Sequence, residues 1–186
     1  MFTNWSYIIL TSYTLTDCLS VIYIRVQRDD VINGDAGSLP WYLKISWALY
    51  NMTSFTSMVT FLVYYILINN DDSANGLLKH GITFIFFISH LGLSRKPFRI
   101  LHCYLSLIFV FVYVIITVIY QKGFRQMAVY DIFDWDNAPN AVLYSFFLVV
   151  LAPVTAMACF ALTLLRDFVS QKCRKVDEET EKFDSV

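Results

Sequence analysis

The chain has 186 residues, of which 57% are hydrophobic and only 16% are charged, and its net charge is −1. Because a soluble domain usually has about 25% charged residues, this composition indicates an integral membrane protein whose main partner is the lipid bilayer. The near-neutral charge gives no reason to expect nucleic acid. The four cysteines have neither metal-ligand spacing nor a disulfide pattern, so we expect no metal and no cofactor.

Five apolar runs are long enough to cross a bilayer, since about 20 residues at 1.5 Å each span its hydrocarbon. They predict an all-α transmembrane bundle over residues 1–166. Residues 167–186 are charged and lack apolar periodicity, and they are predicted to form a disordered cytosolic tail. The five predicted spans lie at about 4–24, 41–68, 77–94, 100–120 and 141–165.

Ionisable residues lie inside the first and third runs. Asp17 is 13 residues beyond Asn4, and His90 is 13 residues beyond Leu77. Both helices cross in the same direction, so both groups lie at the same depth, roughly 20 Å from one membrane edge. An ionisable group in a membrane needs a partner, which predicts an Asp17–His90 pair. The pair is either a structural hydrogen bond between spans or part of a proton or ion path.

Basic residues are unevenly divided between the two faces that five spans create. The excess of Lys and Arg marks the cytosolic face, which predicts a cytosolic C-terminus in the plasma membrane or the endoplasmic reticulum. The opposite face has only Lys79, Lys122 and Arg125. The basic residues on the first face are Arg25, Arg28, Lys44, Arg95, Lys96, Arg99, Arg166, Lys172, Arg174, Lys175 and Lys182.

The less basic face gathers residues that could perform acyl transfer. Thr3 opens the first span, His80 opens the third, and Asp131 and Asp134 lie in the loop before the fifth. A histidine can take the proton of a hydroxyl nucleophile, and a carboxylate can orient the imidazole. The alternative is that Thr3 and His80 are ordinary polar residues of the membrane interface, so the pattern leaves open whether the protein is an enzyme.

Several short motifs resemble those of the rolling stone family of multi-pass membrane proteins, from Phe2 to about Arg166. That resemblance implies a non-enzymatic role in cell-surface or myoblast-fusion events. The motifs are Phe2-Thr3-Asn4-Trp5, Pro40-Trp41-Tyr42-Leu43-Lys44, Leu49-Tyr50-Asn51, Lys96-Pro97-Phe98-Arg99-Ile100-Leu101-His102 and Tyr130-Asp131-Ile132-Phe133-Asp134-Trp135, with Trp47, His80 and Pro139.

More distantly, the chain is similar to the androgen-induced membrane hydrolases, which cleave fatty acid esters of hydroxy fatty acids. Thr3 and His80 match the threonine and the histidine that those enzymes use. This resemblance implies an intramembrane lipid-ester hydrolase with a lipid substrate. Both families carry at least one span before this threonine, so we expect the chain to be N-terminally shortened.

Overall fold

The fold consists of α-helices packed around one central helix. The computed structural model describes residues 2–35, 37–68, 74–94, 96–128 and 130–184, and within these ranges it has no β-strand. The prediction of an all-α fold is therefore confirmed. The α-helices are α1 (Phe2–Gln27), α2 (Asp29–Ile32), α3 (Trp41–Val63), α4 (Ala74–Leu93), α5 (Cys103–Val118) and α6 (Ala138–Asp184).

The central helix is α3, which contacts α1, α4, α5 and α6. Besides Tyr50, Phe55 and Val59, the residues that it buries are small polar ones. Small residues let helix backbones approach closely, and hydroxyls can bond to their own helix or to a neighbour, so this composition suits a helix surrounded by others. The buried polar residues of α3 are Ser46, Asn51, Thr53, Ser54, Thr56, Ser57 and Thr60.

Two apolar clusters fill the space around α3. The first lies near the start of α1 and is built around Phe55, Phe109 and Tyr113. The second lies toward the other end of α1 and is built around Tyr13 and Tyr50. Each apolar cluster lies beside a different set of polar residues, one that contains Thr3 and one that contains Asp17. The packing therefore divides the bundle into two halves along its axis.

Three helical segments are long and apolar enough to cross a membrane: Phe2–Gln27, Ile100–Gly123 and Trp135–Arg174. They correspond to the first, fourth and fifth predicted spans. The second does not qualify because the hydroxyls of α3 lower its hydropathy, and the apolar part of α4, His80–Leu93, is shorter. Three long apolar helices indicate an integral membrane protein, whereas the five-span count stays a prediction.

The C-terminal tail differs from the prediction. Residues 167–184 continue α6 as a helix, where a disordered tail was expected. The physical reason is composition: Lys, Arg, Glu and Gln are good helix formers, and Glu178 precedes Lys182 by four positions, a spacing that favours a helix. A segment without an apolar stripe can therefore extend a helix that already exists.

The connection after α4 is held by a side chain from α6. The guanidinium of Arg166 donates to the carbonyl oxygens of Leu91 at 3.3 Å, Ser94 at 2.5 Å and Lys96 at 3.3 Å. The last carbonyl groups of a helix have no partner within the helix, and a cation there also interacts favourably with the helix dipole. Arg166 therefore terminates α4 and fixes the path of the following turn.

Replacing Arg166 with alanine should destabilise the protein by about 1–3 kcal/mol, because it leaves carbonyl groups of this turn without their charged donor. Thermal unfolding of the purified protein in detergent measures this effect. Arg25 is exposed near the end of α1, so Arg25→Ala is the matched control and should leave the unfolding temperature unchanged. Equal effects of the two substitutions would contradict the capping role.

Candidate functional site

The chemically reactive side chains form two groups along α1, one at its start and one near its middle. Thr3 lies in the first turn of α1, and Asp17 lies 14 residues further along it. At 1.5 Å per residue, the two groups are about 21 Å apart along the helix. They are therefore separate sites, and α4 contributes one histidine to each.

The first group contains the predicted threonine and histidine. The Thr3 Oγ1 atom lies 3.4 Å from the His80 Nδ1 atom, although the two residues are 77 positions apart in the chain. When Nδ1 carries no proton, it can accept a hydrogen bond from the threonine hydroxyl. Nucleophile and base commonly sit 2.6–3.2 Å apart and are often looser in the absence of substrate, so 3.4 Å is within reach of proton transfer.

An aromatic ring holds the imidazole of His80. Tyr64 stacks on it, with ring centroids 3.8 Å apart and an angle of 11° between the planes. Tyr64 belongs to a single π-helical turn, Tyr64–Ile68, that continues α3. Such turns are rare within helices and often occur at functional sites. Stacking restricts the rotation of the imidazole and thereby keeps Nδ1 directed toward Thr3.

Tyr130 provides a further polar contact to Thr3. Burial raises the pKa of Tyr130, and polar contacts with the Thr3 hydroxyl and with the backbone of Phe2 and Thr3 partly offset that rise. The phenol therefore stays protonated at neutral pH. Sequence reasoning did not select Tyr64 or Tyr130, because a tyrosine in an aromatic-rich chain gives no signal of which way it points.

A cavity of about 40 Å³ lies beside Thr3 and His80. A single water needs about 10–15 Å³ by the same measure, so this space can hold a water or a small polar group. Its walls are mostly apolar, with a few polar atoms at one end, as is typical of ligand sites. It is lined by Phe2, Thr3, Val59, Thr60, Val63, Tyr64, His80, Tyr113, Tyr130, Ile132, Phe133 and Leu148.

Of the two predicted carboxylate orienters, Asp134 does not line this cavity. Asp134 accepts hydrogen bonds from Gln121 Nε2 at 2.5 Å and from the Asp136 N–H at 3.0 Å, so it caps a short 3₁₀ turn instead. The Asp131 side chain lies outside the described part. Next to Asp134, the hydrogen-bonded Lys122 ammonium lowers the pKa of Asp136. The acidic loop is therefore used for its own structure, and aromatic stacking takes the positioning role that sequence reasoning assigned to a carboxylate.

The second group is built on the Asp17 carboxylate. Its Oδ1 atom forms an ion pair with Lys96 and accepts a hydrogen bond from Ser46 at 2.8 Å. Lys96 also contacts Ser46 at 3.1 Å. The charge count assigned Lys96 to the cytosolic face, and in the structure its ammonium reaches between α1 and α3, where it compensates the carboxylate of Asp17.

His90 is held mainly by a tyrosine rather than by Asp17. Its Nε2 atom lies 2.9 Å from the Tyr13 hydroxyl and 3.9 Å from Asp17 Oδ2. Tyr13 also accepts a hydrogen bond from Lys96 at 3.1 Å. Asp17 and His90 are therefore neighbours, but the predicted two-residue pair is part of a five-residue network in which Lys96 compensates the carboxylate.

Within the described ranges, no three His, Cys, Asp or Glu side chains are grouped so that they could hold a metal ion. The two groups offer the chemistry of hydroxyl, imidazole, carboxylate and ammonium side chains. At the first group this is proton transfer from a hydroxyl. At the second group it is charge compensation inside the bundle.

Replacing Lys96 with methionine should destabilise the protein by about 1–3 kcal/mol, because it leaves the half-buried Asp17 carboxylate without its cation. The double variant Asp17→Asn with Lys96→Met should recover part of this loss, as measured by thermal unfolding in detergent. The exposed pair of Lys122 and Asp136 is the control, and Lys122→Met should lower the unfolding temperature less than Lys96→Met does, because solvent screens this pair. A double variant less stable than either single variant would contradict the account.

The chain was also compared with known proteins: no family model, curated protein or solved structure matches it. Its function therefore has to be derived from the geometry of its own residues.

Proposed function

We propose that this protein is a membrane-embedded hydrolase of fatty acyl esters, with Thr3 as nucleophile and His80 as its general base. The observation that carries the proposal is the 3.4 Å approach of Thr3 Oγ1 to His80 Nδ1 at the wall of a cavity. A plain interfacial location would explain each residue alone, but it would not bring the two atoms together from different helices. The distant resemblance to threonine-dependent lipid hydrolases points to the same pair.

The first half of the proposed reaction forms an acyl-enzyme. His80 Nδ1 removes the hydroxyl proton while Thr3 Oγ1 attacks the ester carbonyl carbon, which gives a tetrahedral intermediate. The intermediate collapses, the bond to the leaving oxygen breaks, and His80 gives its proton to the departing alcohol. The acyl group stays on Thr3 as an ester.

The second half returns the enzyme to its starting state. A water loses its proton to His80 and attacks the acyl carbon, after which Thr3 leaves with that proton and the fatty acid is released. The cavity beside Thr3 is large enough for such a water. The stacked Tyr64 keeps the imidazole in place through both halves, so one base serves both proton transfers.

The proposed topology has five spans and a cytosolic C-terminus. It is supported by the three long apolar helices and by the excess of basic residues on one face. In this arrangement the Thr3–His80 pair lies at the lumenal or external rim, where a lipid can enter sideways and its products can leave into water.

Two other functions stay predictions. The rolling stone resemblance implies a part in cell-surface or myoblast-fusion events. Its motif residues Trp47 and Pro97 contact each other through a 2.9 Å hydrogen bond, and Arg99 lies 5.0 Å from the Trp47 ring centre. These contacts give the motif residues a role in packing against one another. A proton or ion path through Asp17 and His90 would have to displace Lys96 from the carboxylate.

Thr3→Ala and His80→Ala should each lower ester hydrolysis at least about 100-fold, because each removes a group that acts in bond making. The assay is the release of fatty acid from a fatty acid ester of a hydroxy fatty acid by protein reconstituted in vesicles. Thr14 is exposed on the same helix. Among the described contacts its hydroxyl donates only to the backbone carbonyl oxygen of Leu10, so Thr14→Ala is the matched control. Full turnover by Thr3→Ala would contradict the proposal.

A further inference from the structure

The wall of the Thr3–His80 cavity contains a buried hydroxyl that is not hydrogen-bonded. Tyr113 is 1% exposed, and among the described residues its hydroxyl has no partner. Leaving a buried hydroxyl unpaired costs about 1–3 kcal/mol, so such a group calls for an explanation. Tyr113 lines the same cavity as Thr3 and His80, which makes a bound ligand the natural acceptor.

The Tyr113 ring is fixed by its neighbours. Phe2 and Phe133 pack against it edge to face, with ring centroids at 5.0 Å and 6.0 Å. The Phe2 backbone N–H approaches the phenol oxygen without hydrogen-bond geometry, and an N–H can use only the oxygen lone pairs. The phenol proton therefore has no acceptor among the described residues.

An apolar cleft adjoins the cavity. Val63 lines both spaces, and the cleft lies between the end of α3 with its π-helical turn and the first third of α6, along Leu62, Ile66, Phe147 and Leu151. Ile66 and Phe147 are 69% and 42% exposed, so the cleft opens on the outer surface of the bundle. In a membrane-spanning bundle that surface faces hydrocarbon, and the walls of the cleft offer no polar group to a ligand.

We propose that Tyr113 donates a hydrogen bond to the carbonyl oxygen of a single-chain fatty acyl ligand, whose hydrocarbon tail occupies the cleft between α3 and α6. The unpaired phenol fits the carbonyl, and the adjoining cleft fits the tail. This assignment rests on the proposed function for its catalytic meaning: during hydrolysis the same oxygen becomes the oxyanion, which a positioned donor stabilises. The binding claim itself requires no turnover.

The test compares two competitors of equal length that differ in the carbonyl. Protein in nanodiscs is labelled with a diazirine-bearing methyl palmitate, and labelling is competed with heptadecan-2-one or with heptadecane. In wild type the ketone should compete with the probe more strongly than the other competitor does. In Tyr113→Phe this preference should be about three- to tenfold smaller, because one neutral hydrogen bond contributes a factor of that size to affinity. An unchanged preference in Tyr113→Phe would overturn the assignment.

Tyr50 supplies a matched control. It is also a tyrosine 1% exposed with an unpartnered hydroxyl in the described part of the chain, but it lies in the other apolar cluster. Tyr50→Phe should keep the ketone preference. Neither variant should unfold at a lower temperature than wild type, since each removes only an unpaired hydroxyl. Loss of the preference in both variants would mean that the effect is not local, and it would overturn the assignment.

A second comparison tests where the hydrocarbon tail of the ligand lies. Leu151→Trp should fill the cleft and reduce labelling by the probe, whereas Val150→Trp, on the neighbouring exposed position of α6, should not. Equal labelling of both variants would contradict the placement of the hydrocarbon tail in this cleft. If wild type hydrolyses no ester but Tyr113→Phe loses the ketone preference, the binding assignment stands and the proposed hydrolase fails. These two ideas can therefore fail separately.

Discussion

The buried hydrogen bond between Ser6 and Thr60 is the contact on which the candidate site depends. Their hydroxyl oxygens lie 2.8 Å apart, and both residues are buried. In a membrane bundle no water replaces such a bond, so two helices that carry these hydroxyls are held in one register. Ser6 is three residues from Thr3, and Thr60 is four residues from Tyr64. The bond therefore sets the first turn of α1 beside the π-helical turn that holds His80, and the Thr3–His80 contact follows from it.

The middle of α1 is fixed by charge rather than by hydroxyls. Lys96 leaves the turn after α4 to compensate Asp17, while Arg166 from α6 holds that same turn through its carbonyl groups. A buried ion pair is a weak source of stability, but removal of one partner is costly, so it specifies one arrangement. With α1 attached at both places, α4 can present His80 to Thr3 and His90 to Tyr13 at the same time. The orientation of the Thr3–His80 pair thus depends on contacts about 20 Å away.

Much of the architecture could be predicted from apolar runs, because a bilayer accepts few alternatives to a helix. The same topology argument predicted that Thr3 and His80 share one membrane face, and in the structure their side chains are adjacent. It could not give the positions of Tyr64, Tyr113 or Tyr130, since rotation about a helix axis is decided by packing. It did not give the ion pair of Lys96 with Asp17, because charge counting assigns a cation to a membrane face but not to a partner, and a long side chain can reach a buried carboxylate. It also misjudged residues 167–184, where helix-forming composition extends α6 without an apolar face.

The most direct test of the account is whether Thr3 and His80 are neighbours in the membrane. In a chain with its four native cysteines replaced, Thr3→Cys and His80→Cys are combined and treated with a short bifunctional thiol reagent. The account predicts efficient intramolecular cross-linking of this pair. The control pair combines Thr14→Cys with His80→Cys. Thr14 lies eleven residues beyond Thr3, about 16 Å further along α1, so this pair should stay unlinked. Absence of cross-linking in the first pair, or equal cross-linking in both, would contradict the account.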